Sequence, residues 1–222
     1  MRRINIAIDG PAGAGKSTIA KAVAKALGIY YLDTGAMYRA VAYAAVKEGA
    51  DIGDQKQVEE LIGKVDLRTE YDNGDQVVLL AGENVMPYIR TPEISKAASD
   101  ISAYPCVRLK LAAMQREVAQ KYDVVLDGRD IGTFVLPDAS YKFFLTGDAE
   151  VRARRRCLEL EEKGIKRAFD NVLSEMIKRD ANDSARSFAP LKKADDAVLI
   201  DTTNMNADEV LEAVLQRIGQ GR

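Results

Sequence analysis

The sequence predicts a three-layer α/β fold, in which helices cover both faces of a central parallel sheet. Apolar runs typical of buried strands alternate with helical segments, and the connections between them are short. A glycine-rich stretch at 10–15 follows the first apolar run and precedes the first helical segment. Between 65 and 87 the apolar residues alternate with polar ones, which indicates a small antiparallel insertion beside the main sheet.

The first part of the chain alternates strand and helix. Helices are indicated by apolar residues three and four positions apart, and Gly28 and Gly49 lie where helix C-caps belong. The elements predicted here are a strand at 4–8, a helix at 17–27, a strand at 29–32 and a helix at 36–48. In a parallel sheet of this kind the ligand site lies at the carboxyl ends of the strands.

The insertion is predicted to be a meander of two or three short antiparallel strands. Two of them, at 65–69 and 76–80, lie on either side of Asn73-Gly74, a dipeptide typical of hairpin turns, and another turn follows at 82–84. After the insertion the helices and strands resume. The elements predicted here are a helix at 91–102, a break at Pro105, a helix at 107–121, strands at 122–126 and 141–145, a helix from 149 to about Lys163, a helix at 169–181, a strand at 198–201 and a helix at 208–218.

Composition narrows the class of protein. With 222 residues, 47% of them hydrophobic, the chain can bury one full core, so we expect a single domain. No apolar run approaches the roughly 20 residues that span a bilayer, and the net charge of −2 gives no broad basic field for nucleic acid. Two cysteines, Cys106 and Cys157, and no histidine argue against zinc sites and disulfide frameworks. We expect a monomeric cytoplasmic protein without nucleic-acid or membrane partners.

The glycine-rich stretch fits the pattern G-x-x-x-x-G-K-[ST] between an apolar strand and a helix, the context that the P-loop motif requires. Its glycines let backbone N–H groups converge on phosphate oxygens, Lys16 can reach the β- and γ-phosphates, and Ser17 can ligate Mg²⁺. A glycine-rich turn without a ligand is the alternative, but all four fixed positions match. The residues expected to contact ATP here are Gly10, Pro11, Ala12, Gly13, Ala14, Gly15, Lys16, Ser17 and Thr18.

Arginines and carboxylates recur far from this loop. Polar residues crowd after the strand at 122–126, in the string Asp127-Gly128-Arg129-Asp130. The predicted helix at 149–163 places Arg152, Arg155 and Arg156 on one face. A solvated face paired with nearby glutamates is the alternative for these three arginines.

A P-loop combined with distant arginines favours phosphoryl transfer, because this reaction needs positioning and charge neutralisation more than covalent chemistry. A phosphate acceptor is already mostly ionised at pH 7, so the lack of histidine leaves no required base missing. A guanine-nucleotide switch is the rival within the P-loop class, but the chain contains no N-K-x-D motif.

Four segments resemble the bacterial cytidylate kinase family, and the likeness runs from one end of the chain to the other. They are Gly10 to Ser17, Leu32-Asp33-Thr34-Gly35-Ala36-Met37-Tyr38-Arg39, Asp127-Gly128-Arg129-Asp130-Ile131-Gly132-Thr133, and Arg179-Asp180 through Asp183 to Arg186-Ala189-Pro190-Leu191. The third string and the hairpin insertion are the specific signals. Some members of the family carry serine where this chain has Thr34, and either hydroxyl can make the same hydrogen bond.

The resemblance implies transfer of the γ-phosphoryl group of ATP to CMP or dCMP, assisted by Mg²⁺, in pyrimidine nucleotide metabolism. It assigns the acceptor phosphate to Arg39, Arg129 and Arg186. It assigns the cytosine to Ser99, Arg108 and Asp130, and the sugar to Arg179 and Asp183. Thr34 and Asp127 complete the substrate residues, and Arg152, Arg155 and Arg156 would close over the ATP phosphates. The residues expected to act in catalysis are Lys16, Asp127, Arg129 and Arg155.

The resemblance also divides the single domain into regions. The core would comprise 1–34, 103–150 and 187–222, the acceptor-nucleotide region with its insertion about 35–102, and the lid about 151–167. Asp127 could organise Mg²⁺ through water or orient Arg129. Another nucleoside monophosphate such as UMP, a nucleotide-dependent regulatory switch, and a kinase-like binding protein without turnover stay open as alternatives.

Overall fold

A computed structural model of the chain describes residues 3–162 and 164–220. Its elements are β1 (Asn5–Asp9), α1 (Lys16–Leu27), β2 (Tyr30–Asp33), α2 (Thr34–Glu48), α3 (Gln55–Lys64), β3 (Leu67–Asp72), β4 (Asp75–Leu80), β5 (Glu83–Asn84), α4 (Pro92–Ile101), α5 (Pro105–Lys121), β6 (Val124–Gly128), a π-helical turn (Ile131–Val135), β7 (Tyr141–Thr146), α6 (Ala149–Glu162), α7 (Phe169–Ala185), β8 (Val198–Asp201) and α8 (Ala207–Gln220). They form two compact units, the second comprising Tyr30–Asp123 and the first the other described residues.

The first unit is built on parallel strands in the order β6-β1-β7-β8. The central strand β1 pairs with β6 on one side, with Asn5 opposite Val124, and with β7 on the other. Its residues Ile6 and Ile8 are fully buried, as expected for a strand covered on both faces. The predicted parallel sheet is therefore confirmed.

The turn after β1 can be made only by glycine. Gly10 has a φ of 146°, and a Cβ placed on it would lie 2.0 Å from the carbonyl oxygen of Leu145 on β7. Further along, Gly15 precedes the first residue of α1 with a left-handed φ of 85°. The backbone thus leaves the sheet and enters the helix within six residues, and this path shapes the phosphate loop.

The second unit contains the predicted hairpin. Strands β3 and β4 pair antiparallel, with Asp72 opposite Asp75, and the connecting residues Asn73 and Gly74 both have positive φ. This is the two-residue turn that an Asn-Gly dipeptide favours. The short strand β5 then adds to β4, which completes the three-stranded sheet. The antiparallel insertion is therefore confirmed.

Several element bounds differ from the prediction. Pro105 does not break a helix but begins α5, because a proline at the first helical position gives up no hydrogen bond. Helix α7 continues beyond Ala181 to Ala185. Strand β6 begins at Val124, two residues later than predicted. Helix α3 was not predicted from the sequence. Lys163, the predicted end of α6, lies outside the described residues.

Within residues 3–162 and 164–220, none of the helices combines the length and the apolar character needed to cross a membrane.

Candidate active site

Lys16 lies inside the phosphate loop. Its side chain is buried, and its Nζ donates a hydrogen bond to the carbonyl oxygen of Pro11 at 2.6 Å. Burial, followed by the positive charge of Arg129, lowers the pKa of Lys16 well below its ordinary value, although the carboxylate of Asp127 opposes this. The negative charge around the ammonium group is therefore too small to offset its burial, and a bound polyphosphate would supply more.

Ser17 and Asp127 form the second feature of the loop. The Ser17 hydroxyl donates to Asp127 Oδ2 at 2.7 Å. Ser17 lies in the first turn of α1, and Asp127 lies on β6, opposite Ile8 of β1. A hydroxyl and a carboxylate are oxygen ligands of the kind that Mg²⁺ takes in addition to water and substrate phosphates. Among the described residues, no group of three or more acidic, cysteine or histidine side chains could hold a metal by itself. The pair offers two of the oxygen ligands that such an ion takes.

Asp183 on α7 gathers two of the predicted arginines. Its carboxylate accepts from Arg129 Nε at 2.8 Å and from Arg186 Nη2 at 2.5 Å, and its side chain is only 3% exposed. Burial raises the pKa of Asp183, but the guanidinium groups of Arg129 and Arg186 outweigh it and hold the pKa below its usual value. Arg179 is near enough to contribute to the same effect. The cluster holds guanidinium groups in place and keeps excess positive charge.

Asp9 is a site residue that the sequence analysis missed. It ends β1, is buried, and accepts hydrogen bonds from the backbone N–H groups of Ile131 and Gly132 at 2.8 and 2.7 Å. These bonds fix the start of the π-helical turn, directly after Asp130, which is itself buried. The signal that could have revealed Asp9 is an acidic residue at the carboxyl end of a fully buried strand.

Asp9 should make stability depend on pH. Burial raises the pKa of Asp9 from 3.8 to about 7, against the two backbone hydrogen bonds, while Asp130 and Lys16 act on it in opposite directions. Between pH 4 and 7 the folded protein retains a proton that the unfolded chain loses, so this residue's contribution to stability falls as pH rises. We expect the free energy of unfolding of the wild type to fall relative to Asp9→Asn by up to about 1.4 kcal/mol per pH unit. Denaturant titrations of both proteins at several pH values would measure this, and parallel curves would contradict it.

The arginines of α6 have different surroundings. Arg152 is buried and donates from Nη1 to the carbonyl oxygen of Ala12 at 2.7 Å. Arg155 donates to the hydroxyl of Thr202 at 3.0 Å, to its carbonyl oxygen at 2.6 Å, and to the carbonyl of Met205. Arg156, in contrast, pairs on the helix surface with Glu159. The predicted face therefore contains two anchored arginines and one with an exposed ion pair.

In the second unit, Asp33 organises Arg39. Asp33 caps α2 by accepting from the N–H of Ala36, and its Oδ2 also accepts from Arg39 at 3.0 Å and from Arg90 at 2.8 Å. Thr34, the first residue of α2, is buried. Arg90 was not predicted as a site residue, because nothing in its local sequence indicates that it lies beside Arg39. The two guanidinium groups share one carboxylate oxygen and leave a net positive charge.

Two other predicted residues of this unit, Ser99 and Arg108, are both hydrogen-bonded to Ser102. The Ser102 hydroxyl donates to the carbonyl oxygen of Ser99 at 2.7 Å, and Arg108 Nη1 donates to the carbonyl oxygen of Ser102 at 3.2 Å. Arg108 is buried, with its guanidinium carbon 5.7 Å from the ring centroid of Tyr38. A buried cation in this position is costly unless polar partners surround it.

The fold and the loop that follows β1 place the chain in the class of P-loop proteins, which hold nucleotide phosphates on backbone N–H groups and a lysine. The family model described as cytidylate kinase matches residues 6–220. The chain belongs to the cytidylate kinase family, and it is a phosphotransferase.

Two individual relatives agree with this family assignment. The chain is 50% identical over 216 residues to the cytidylate kinase of Caldicellulosiruptor bescii, covering 97% of this chain and 96% of the relative. It is also 50% identical over 214 residues to that of Shouchella clausii, covering 96% and 95%. Among solved structures, a shikimate kinase from Acinetobacter baumannii in complex with shikimate is 18% identical, with a TM-score of 0.46 and coverage of 99% and 95%.

Proposed function

We propose that the protein transfers the γ-phosphoryl group of ATP to CMP and dCMP, as a monomeric cytoplasmic enzyme of pyrimidine nucleotide metabolism. The observation that carries this proposal is the arginine cluster on Asp183, in the same unit as the phosphate loop. A P-loop accounts for the donor, whereas a second set of fixed guanidinium groups suits a second phosphate. The family assignment supports CMP as the acceptor.

On the donor side, the loop from Gly10 to Ser17 would bind the ATP phosphates. Lys16 would leave the carbonyl of Pro11 for the β- and γ-phosphates, where negative charge raises its lowered pKa again. Ser17 and Asp127 would hold Mg²⁺, which supplies charge neutralisation between the phosphates when it is bound. Arg155 and Arg156 of the lid segment, about 151–167, would add positive charge over the transferred group.

On the acceptor side, Arg39, Arg129 and Arg186 would bind the phosphate of CMP. Each guanidinium already has a carboxylate partner, Asp33 for the first and Asp183 for the other two, so its direction is set before the substrate arrives. A bound phosphate would accept from the remaining donors in the bidentate geometry that arginine provides. Arg179 and Asp183 would contact the sugar. The acceptor oxygen needs no base because it is mostly ionised at pH 7.

For the base, we propose that Asp130, Ser99 and Arg108 recognise cytosine. Cytosine presents an amino donor beside two acceptors, whereas uracil presents a carbonyl in place of the amino group. A carboxylate at Asp130 would accept from the amino group and repel the carbonyl. Ser99 would assist, and Arg108 would donate to the acceptor edge. Thr34 completes the proposed substrate residues.

A coupled assay of ADP release over CMP, dCMP, UMP, AMP and GMP tests the proposal. We expect turnover with CMP and dCMP at least tenfold more efficient than with the others, since a polar site rejects mismatched partners strongly. A preference for UMP would redirect the proposal to another nucleoside monophosphate. Binding of ATP without transfer to any acceptor would favour the regulatory switch.

A further inference from the structure

One peptide group of the phosphate loop is held from both sides. The peptide between Pro11 and Ala12 offers its oxygen to Lys16 Nζ at 2.6 Å and its N–H to Asp180 Oδ1 at 3.1 Å. Asp180 lies on α7, 168 positions further along the chain. The plane of this peptide, on which Lys16 rests, is therefore set by a residue far outside the motif.

Arg152 contacts both the phosphate loop and Asp180. Its Nη1 donates to the carbonyl oxygen of Ala12 at 2.7 Å and to Asp180 Oδ2 at 2.6 Å, while its Nε donates to the carbonyl oxygen of Gly147 at 2.8 Å. The side chains of Arg152 and Asp180 are only 9% and 17% exposed. Ala12 is therefore held by hydrogen bonds through both its N–H and its C=O. We call Ala12, Arg152 and Asp180 the Ala12 clamp.

Packing supports the same contact. Ala12 packs against a buried apolar cluster between α6 and α7 that includes Ala153 and Met176. The next residue, Gly13, has a positive φ, and a Cβ placed on it would lie 2.7 Å from Met176 Cε and 3.0 Å from the carbonyl oxygen of Arg152. The loop thus fits closely against both helices, and the polar clamp lies beside this apolar contact.

We propose that Asp180 is a positioning residue for the phosphate loop, and that Arg152 acts on ATP through this clamp as well as by its charge. Asp180 orients the peptide that holds Lys16, and Arg152 orients the carbonyl on the other side of Ala12. Without the clamp, the loop would have to be ordered when ATP binds, and that cost would appear in ATP affinity and in turnover. The inference rests on the proposed function, because it assigns ATP to this loop.

The test compares Asp180→Ala, Asp180→Asn and Arg152→Ala with the wild type. We expect Asp180→Ala to raise the Kd of ATP about tenfold and to lower kcat about tenfold, since both the ion pair and the acceptor for Ala12 are lost. Asp180→Asn retains an acceptor oxygen but not the charge, so its effect should be smaller. The KM for CMP should change by less than about threefold, because Arg129 and Arg186 keep their own carboxylate.

Glu175→Gln is the matched control, because it removes an exposed ion pair with Arg167 from the same helix and should change neither constant. The double variant of Arg152→Ala and Asp180→Ala should lose less than the product of the single losses, since both break one unit. Variants that bind ATP and turn over within twofold of the wild type, or losses that simply multiply, would overturn the clamp. If Asp180→Ala does not fold, Asp180→Asn decides by the same criteria.

ATP binding measured by titration calorimetry keeps this test separate from the proposed function. If the wild type fails to phosphorylate CMP, the proposed function fails, but the comparison of ATP Kd values still decides the role of Asp180. If CMP is phosphorylated and the variants bind ATP normally, only the proposed positioning role of Asp180 and Arg152 is contradicted.

Discussion

Lys16→Ala is expected to lower kcat by about 10³-fold or more, the scale associated with removing a key cation from phosphoryl transfer. Charge builds up between the β- and γ-phosphates as the bond breaks, so the ammonium group contributes more to the transition state than to the bound substrate. The KM for ATP should therefore change much less than kcat. Steady-state kinetics over a range of ATP concentrations, with CMP saturating, would separate the two effects.

The buried setting of Lys16 explains why this variant should still fold. Burial and the charge of Arg129 already lower the pKa of Lys16, so the folded protein gains little from the charge when no phosphate is bound. Lys25→Ala is the control, because the same substitution is made at an exposed position of the same helix and should leave kcat unchanged. A Lys16→Ala variant that retains most of its activity would contradict the assignment of the phosphate loop.

Local patterns were sufficient for most of the fold. The turn at Asn73-Gly74 and the C-caps at Gly28 and Gly49 depend on the backbone freedom of single residues, so the sequence predicts them directly. Pro105 was misread because proline both ends helices and begins them, and only the next turn of the chain decides which.

The residues of the site also fall into two groups, those indicated by a local sequence motif and those that depend on distant contacts. Lys16 and Ser17 belong to a continuous motif with a fixed spacing, so the residues themselves indicate the chemistry. Asp9 and Asp180 act through bonds to residues more than 120 positions away, which no local pattern records. The position of Arg90 beside Arg39 likewise depends on how the second unit folds. Such partners become visible only when side chains are placed in three dimensions.

Arg129→Ala is expected to lower kcat/KM about 10²-fold, and by the same factor for CMP and UMP. The guanidinium group of Arg129 is held by Asp183 and is largely buried. Its loss therefore removes a preorganised pair of donors for the phosphate and leaves Asp183 with one ion-pair partner fewer. Contacts to phosphate contain no information about the base, so the ratio of the two substrates should stay constant. A change in that ratio would show that Arg129 also contacts the base.

Asp130→Ala tests recognition of the base, as Arg129→Ala tests recognition of the phosphate. We expect it to narrow the CMP to UMP ratio of kcat/KM by about tenfold, equivalent to ~1.4 kcal/mol of lost discrimination. Ser99→Ala should narrow the ratio less, and Asp138→Ala, an exposed aspartate beyond the π-helical turn, should leave it unchanged. Asp130 is buried close to Asp9 and raises the pKa of Asp9, so its loss also relieves repulsion between the two carboxyl groups. An equal loss for both substrates would assign Asp130 to the phosphate site or to the framework, and base recognition would then depend on Ser99 and Arg108.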